Sequence, residues 1–137
     1  MSSGVQTGGV HHIRMTVSDP ARSRDFYTSL LGFSVMMDFP DGVLLTNGSL
    51  FIGLRTAAEP SQAPANDTFN PSRIGLDHLS FSVETRDDLE TAARLCKERG
   101  ISCGEIVDFG EQFRFYVLML HDPDGIQIEL SANYPKA

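Results

Sequence analysis

Two nine-residue segments of this chain repeat one another: Gly9-Val-His-His-Ile-Arg-Met-Thr-Val17 and Gly75-Leu-Asp-His-Leu-Ser-Phe-Ser-Val83. At a spacing of 66 residues they share Gly9/Gly75, His12/His78 and Val17/Val83, with apolar residues also matched at Val10/Leu76, Ile13/Leu79 and Met15/Phe81. A duplicated segment implies a duplicated supersecondary unit. Polar and apolar residues alternate within each copy, the mark of a strand buried on one side. In the first copy His11, Ile13, Met15 and Val17 share one face, and Val10, His12, Arg14 and Thr16 share the other.

The segments downstream of the two copies are duplicated as well. After the first, Asp19 is placed to cap a helix with Pro20 at its first position. Phe26, Tyr27, Leu30 and Leu31 supply its apolar pairs, and Gly32 stops it. Strands are expected at Phe33–Phe39, Val43–Thr46 and Leu50–Arg55, divided by the hairpin dipeptides Asp41-Gly42 and Asn47-Gly48. After the second copy Thr85 and Asp88 form a capping box. Leu89, Ala92, Ala93 and Cys96 make a buried stripe, and Gly100 ends the helix. Three more strands are expected near Ser102–Phe109, Phe113–His121 and Gly125–Ala132. The Asp122-Pro-Asp-Gly125 turn sets the phase of the last strand. The chain is therefore an α+β protein of two βαβββ modules, 10–56 and 75–132. A linker over 57–74, broken by Pro60, Pro64 and Pro71, joins them into one domain. Each helix covers the apolar face of its own mixed sheet, leaving the other faces to curve around a polar-lined cup.

Composition narrows the occupant of that cup. Eleven Lys and Arg against 18 Asp and Glu, a net charge of −7, argue against a nucleic-acid partner. No apolar run approaches the ~18 residues of a membrane helix, and Met1 to Gly9 lacks the charge and apolar core of a leader, so a cytoplasmic protein is expected. Cys96 and Cys103 fit neither a redox pair nor a zinc knuckle and are expected to be reduced thiols in or near the core. There is no nucleophile elbow, phosphate loop or dinucleotide fingerprint.

Parity then selects the residues able to do chemistry. His78 and Ser80 alternate with Leu79 and Phe81, and Gln127 and Glu129 with Ile126, Ile128 and Leu130, so these polar side chains face away from the apolar side. His12 occupies the position of His78 in the first copy. Two imidazoles and one carboxylate from three strands form a donor set suited to Zn, Mn, Ni or Fe(II), with coordination positions left open for substrate or O₂. His12, His78 and Glu129 are thus the candidate ligands of one divalent ion. Arg14, Ser80, Phe115, Met119 and Gln127 are candidate pocket residues, and no catalytic acid or base is assigned. His11 is expected to be structural, and His121, at a strand end, to be solvated or to support a ligand. For Phe113, Arg114, Phe115 and Tyr116 two placements are open, lining the cup or packing under a helix, and the second is expected of the group as a whole.

These motifs resemble the vicinal oxygen chelate superfamily of glyoxalase I, bleomycin- and fosfomycin-resistance proteins, methylmalonyl-CoA epimerase and extradiol dioxygenases. The resemblance spans Val10 to Leu130. It is carried by the HHI...V.D opening at His11 to Asp19, FY...LGF at Phe26 to Phe33, DHL.F.V at Asp77 to Val83 and DPDG...EL at Asp122 to Leu130. It implies paired βαβββ modules and a divalent metal on His12, His78 and Glu129 that chelates neighbouring oxygens of a small substrate. A homodimer is implied as well. Glyoxalase I and the epimerase use a fourth ligand where Gly53 stands here, and no carboxylate lies between Gly42 and Ala58. The expected activity is therefore dioxygenase-like or group transfer. The alternatives are a metal-free protein sequestering a drug or metabolite, as bleomycin-resistance proteins do, and a glyoxalase I-like lyase or isomerase. Extradiol dioxygenases and fosfomycin transferases usually carry Tyr where Met119 stands. The fosfomycin group has a small hydroxyl residue where Arg14 stands, which places Arg14 to meet an anionic substrate.

Overall fold

A computed structural model describes residues 4–136; Met1, Ser2, Ser3 and Ala137, and with them part of the N-terminal stretch expected not to be a leader, lie outside the described residues. The chain forms two compact units that divide between Ala63 and Pro64.

The first unit runs β1 (His12–Thr16), α1 (Pro20–Leu30), β2 (Ser34–Phe39), β3 (Gly42–Thr46) and β4 (Phe51–Arg55), ending with a 3-10 turn at Pro60–Gln62. Its sheet has the order β1-β4-β3-β2, with β1 and β4 parallel and the other neighbours antiparallel. Asp19 starts α1 by accepting from the backbone N–H groups of Ala21 and Arg22, and Pro20 occupies a first-turn position that needs no donor. The buried Phe26 and Tyr27 of α1, with Phe33 beyond its end, join Met15, Val43, Leu45, Ile52 and Leu54 in the core. Tyr27 donates its hydroxyl to the Met15 sulfur at 3.7 Å.

The second unit runs β5 (Leu79–Val83), α2 (Arg86–Arg99), β6 (Val107–Asp108), the single turn α3 (Gly110–Phe113), β7 (Phe115–His121) and β8 (Gln127–Asn133). Its order, β5-β8-β7-β6 with β5 and β8 parallel, repeats the first. Thr85 and Asp88 close the expected capping box, and Gly100 ends α2 at a φ of 68° that favours glycine. Leu89, Ala92 and Cys96 are buried with Leu118, Leu120, Ile128, Leu130 and Ala132. Ala93, expected in the same stripe, is only half-buried.

Several strands are shorter than their patterns suggested; β5, expected from Gly75, begins only at Leu79, and three others have a plain local reason. The opening strand, expected from Gly9, begins at His12 because its ladder partner β4 offers only Phe51 to Arg55. The expected Ser102–Phe109 strand breaks at Gly104, leaving an isolated bridge between Cys103 and Leu120 and the two residues of β6. β7 starts at Phe115 because Arg114 takes a left-handed conformation, φ 56°, at the end of α3. The first hairpin is shifted by one residue: Pro40 and Asp41 form the loop and Gly42 already pairs with Phe39. Gly42 is needed there for a different reason, since a Cβ would lie 2.1 Å from the Leu54 carbonyl oxygen.

Candidate functional site

The register of β5, β8 and β7 settles which residues share a face in the second unit. Glu129 pairs with Ser80 on one side and Met119 on the other. Gln127, Glu129 and Ser131 therefore lie with Ser80, Met119 and His121 on the face away from the apolar core. The Asp122–Gly125 turn fixes this phase. The buried Asp122 accepts from the N–H groups of Asp124 and Ile126 at 2.9 Å, and its backbone carbonyl accepts from Gly125 N–H.

On this face His78 Nε2 lies 3.7 Å from Glu129 Oε2. That is too long for a hydrogen bond. It is near the roughly 3.4 Å between two ligand atoms that each sit ~2.1 Å from a tetrahedral ion. The pair is oriented from behind. His78 Nδ1 is 2.8 Å from Asp77 Oδ1, so a proton held on Nδ1 leaves the Nε2 lone pair directed at Glu129. Gln127 donates its amide to both the carbonyl and Oδ1 of Asp77, at 2.9 and 3.0 Å, and fixes the carboxylate in turn. The other Glu129 oxygen receives the Ser131 hydroxyl at 3.5 Å, and Ser131 shares a short hydrogen bond with Ser80. Glu129 keeps 15% of its side-chain surface exposed, enough to be reached but not to swing freely.

The first unit repeats part of this arrangement. His12 Nδ1 is 2.9 Å from His11 Nδ1. His11 holds the repeat position of Asp77, so each candidate imidazole is contacted at Nδ1 by the residue before it. When His12 donates in this bond its Nε2 is left as a free acceptor, the same state that Asp77 imposes on His78. Arg14 pairs in register with Gly53. These are the places of Ser80 and Glu129 in the second unit, so the repeat has a glycine where its other half has the carboxylate. Within neither unit, among the described residues, do three or more His, Cys, Asp or Glu side chains gather into a metal-holding group.

Sequence reasoning missed the contacts that Asp77 and His11 make to His78 and His12. The signal was available, since both sit directly before a candidate ligand at equivalent repeat positions. Gln127, expected to line a pocket, is committed to Asp77. His121 shares a hydrogen bond with Ser102 at 3.2 Å and makes no hydrogen bond to a candidate ligand among the described residues. The aromatic group splits by parity rather than packing together under a helix. Tyr116 turns to the α2 side, with the Arg86 guanidinium 5.4 Å from its ring and Tyr134 tilted against it at 4.8 Å. Phe115 lies on the Glu129 face, stacked on Phe109 at 4.9 Å with Phe113 edge-on to both. Phe109 and Phe113 are 45% and 59% exposed, so this end of the face offers an apolar surface.

Two groups here titrate away from their ordinary values. Asp108 hydrogen-bonds the Tyr134 hydroxyl, which holds the carboxyl low and pushes the phenol up to about 12. In the core, burial pushes the Cys96 thiol up to about 11 and raises Cys103 as well; both cysteines are free.

Residues 9–130 match the model of the Glyoxalase/Bleomycin resistance protein/Dioxygenase superfamily, and the chain belongs to that family. It is 35% identical over 129 residues to the uncharacterized protein YaeR of Escherichia coli K12, covering 88% of this chain and 93% of that one. It is 28% identical over 121 residues to the glutathione transferase FosA of Serratia marcescens, covering 88% and 78%. A glyoxylase/bleomycin resistance protein/dioxygenase domain from Frankia sp. EAN1pec superposes with a TM-score of 0.79 at 26% identity over 96% of each chain. The family includes metal-dependent enzymes and small-molecule binders. No helix among the described residues is long and apolar enough to cross a membrane.

Proposed function

We propose that the protein is a divalent-metal-dependent enzyme whose single ion, Fe, Mn, Ni or Zn, is held by His12, His78 and Glu129. It acts on a small substrate through two neighbouring oxygens, in a dioxygenase-like or group-transfer reaction. The observation that carries this reading is the oriented pair of His78 and Glu129, backed by Asp77 and Gln127. A chain that needed only to bury a ligand gains nothing from a carboxylate, an amide and an imidazole aligned in series.

An ion held by His12, His78 and Glu129 would supply Lewis acidity toward the substrate oxygens and, as Fe(II), the redox capacity that O₂ chemistry needs. The protein's own residues do the rest. Asp77 holds a proton on Nδ1 of His78, leaving its Nε2 free to donate a lone pair, and His12 has the same state when it donates its Nδ1 proton to His11. Ser131 anchors one Glu129 oxygen and leaves the other directed at His78. Met119, in register beside Glu129, supplies an apolar wall that limits water at the reacting oxygens. The active form is a soluble homodimer of the cytoplasm.

A second reading, a metal-free binding protein, is favoured by the exposed Phe109 and Phe113 that pack with the half-buried Phe115 of the Glu129 face. One panel separates the two. Protein reloaded anaerobically with each metal should consume O₂ with a catechol or a thiol with an electrophilic acceptor, and the Glu129→Ala variant should do neither. Tight binding of an aromatic ligand that survives both chelation and Glu129→Ala would instead establish the binding protein.

A further inference from the structure

By repeat position, Arg14 and Gly53 of the first unit correspond to Ser80 and Glu129 of the second. Backbone geometry does not force the glycine, because its φ lies outside the left-handed region. A Cβ at position 53 would also meet only ordinary contacts, the nearest being Arg14 Cγ at 3.6 Å. What the glycine provides is a track along which the aliphatic stem of Arg14 lies. A longer side chain there would displace the stem. The fold thus directs this arginine while leaving it exposed.

Among the described residues its guanidinium is engaged only at a distance, through the field it exerts on Asp41. Among the described residues Arg14 has no hydrogen-bond or ion-pair partner, although the chain carries 18 acidic residues to 11 basic ones. One carboxylate within its field, Asp41, already receives three hydrogen bonds from Arg55 at 2.7 to 3.2 Å. His12 and Arg14 alternate along β1, so they share a face with Cα atoms roughly 6.8 Å apart. A basic residue therefore shares the strand face of one candidate ligand, and its partner position across the ladder is a glycine where the other half of the repeat carries Glu129.

We infer that Arg14 is the anion-binding residue of the site and that the substrate carries a carboxylate, phosphonate or phosphate group, gripped by the guanidinium beside the oxygens held at His12. Two parallel N–H donors suit such an oxyanion better than a lysine would. The assignment rests on the metal reading for what lies next to the anion, but its test does not.

Calorimetric titration with inorganic phosphate, in both metal-free and Mn(II)-loaded protein, decides it. Arg14→Ala should weaken binding at least tenfold in both forms, and Arg14→Lys should fall between. Gly53→Ala should bind as the parent does. Gly53→Glu should bind as poorly as Arg14→Ala, because its carboxylate would pair with Arg14 across the strands. Thermal melts of each variant confirm that the fold survives. Phosphate binding equal in the parent and Arg14→Ala, or absent from both, would overturn the inference. If no Mn(II) loads, the metal reading fails while the metal-free titration still rules on Arg14.

Discussion

Removing the Asp77 carboxylate isolates the effect of orienting a ligand from that of supplying one. Asp77 Oδ1 accepts from His78 Nδ1 at 2.8 Å and from Gln127 Nε2 at 3.0 Å. In Asp77→Ala the imidazole is free to rotate and to carry its proton on Nε2, which removes the lone pair facing Glu129. Losing such a support typically costs 10- to 100-fold in metal affinity, or roughly 1.4 to 2.7 kcal/mol. The fold should lose less than about 1 kcal/mol, because Asp77 is 64% exposed and Gln127 keeps the Asp77 backbone carbonyl as an acceptor at 2.9 Å. Metal titration against a chelating indicator at fixed pH, with a thermal melt in parallel, reads both quantities. Asp77→Asn, which keeps an acceptor but no charge, should fall between, and His11→Ala should weaken binding for the same reason through His12. Unchanged metal affinity in Asp77→Ala, with the fold intact, would refute the orienting role.

The packing and the ionisable groups have consequences of their own. Ser23 is fully buried with its hydroxyl unpartnered, so Ser23→Ala should raise stability by about 1 kcal/mol in denaturant unfolding. Gly42→Ala should lower it by about 2 kcal/mol or more, because the new Cβ meets the Leu54 carbonyl oxygen at 2.1 Å, which only a shift of the strand relieves. The Tyr134 phenol, raised to about 12 by Asp108, should ionise late in an ultraviolet titration, and Tyr134→Phe should remove that step. Because the folded value is the higher one, this contact stabilises fully below the ordinary phenol value near 10 and is lost as pH rises through about 12. Cys96, with its thiol pushed up to about 11, should resist thiol reagents at pH 8 until the protein is unfolded.

The repeat made most of this architecture legible. Strand parity placed His78 and Glu129 on one face, and the observed 3.7 Å contact agrees with it. The helix signals at Asp19, Thr85 and Gly100 worked because caps are local hydrogen-bonding devices. What failed was non-local. Strand length depends on the partner, which is why Gly9 to His11 stay outside β1. The left-handed Arg114 has no sequence signature, so the start of β7 was hidden. Asp77 and His11 were visible only as motif letters, since an orienting role shows itself in the contact a side chain makes.

Whether His12, His78 and Glu129 together hold one divalent ion is tested most directly by stripping the protein with chelator and reloading it anaerobically with Fe(II), Mn, Ni or Zn. Bound metal is then counted per chain in the parent and in His12→Ala, His78→Ala and Glu129→Ala. Close to one ion per chain is expected for the parent, with its loss in all three variants. A parent that binds none, or a His12→Ala variant that binds as well as the parent, would contradict the three-ligand site.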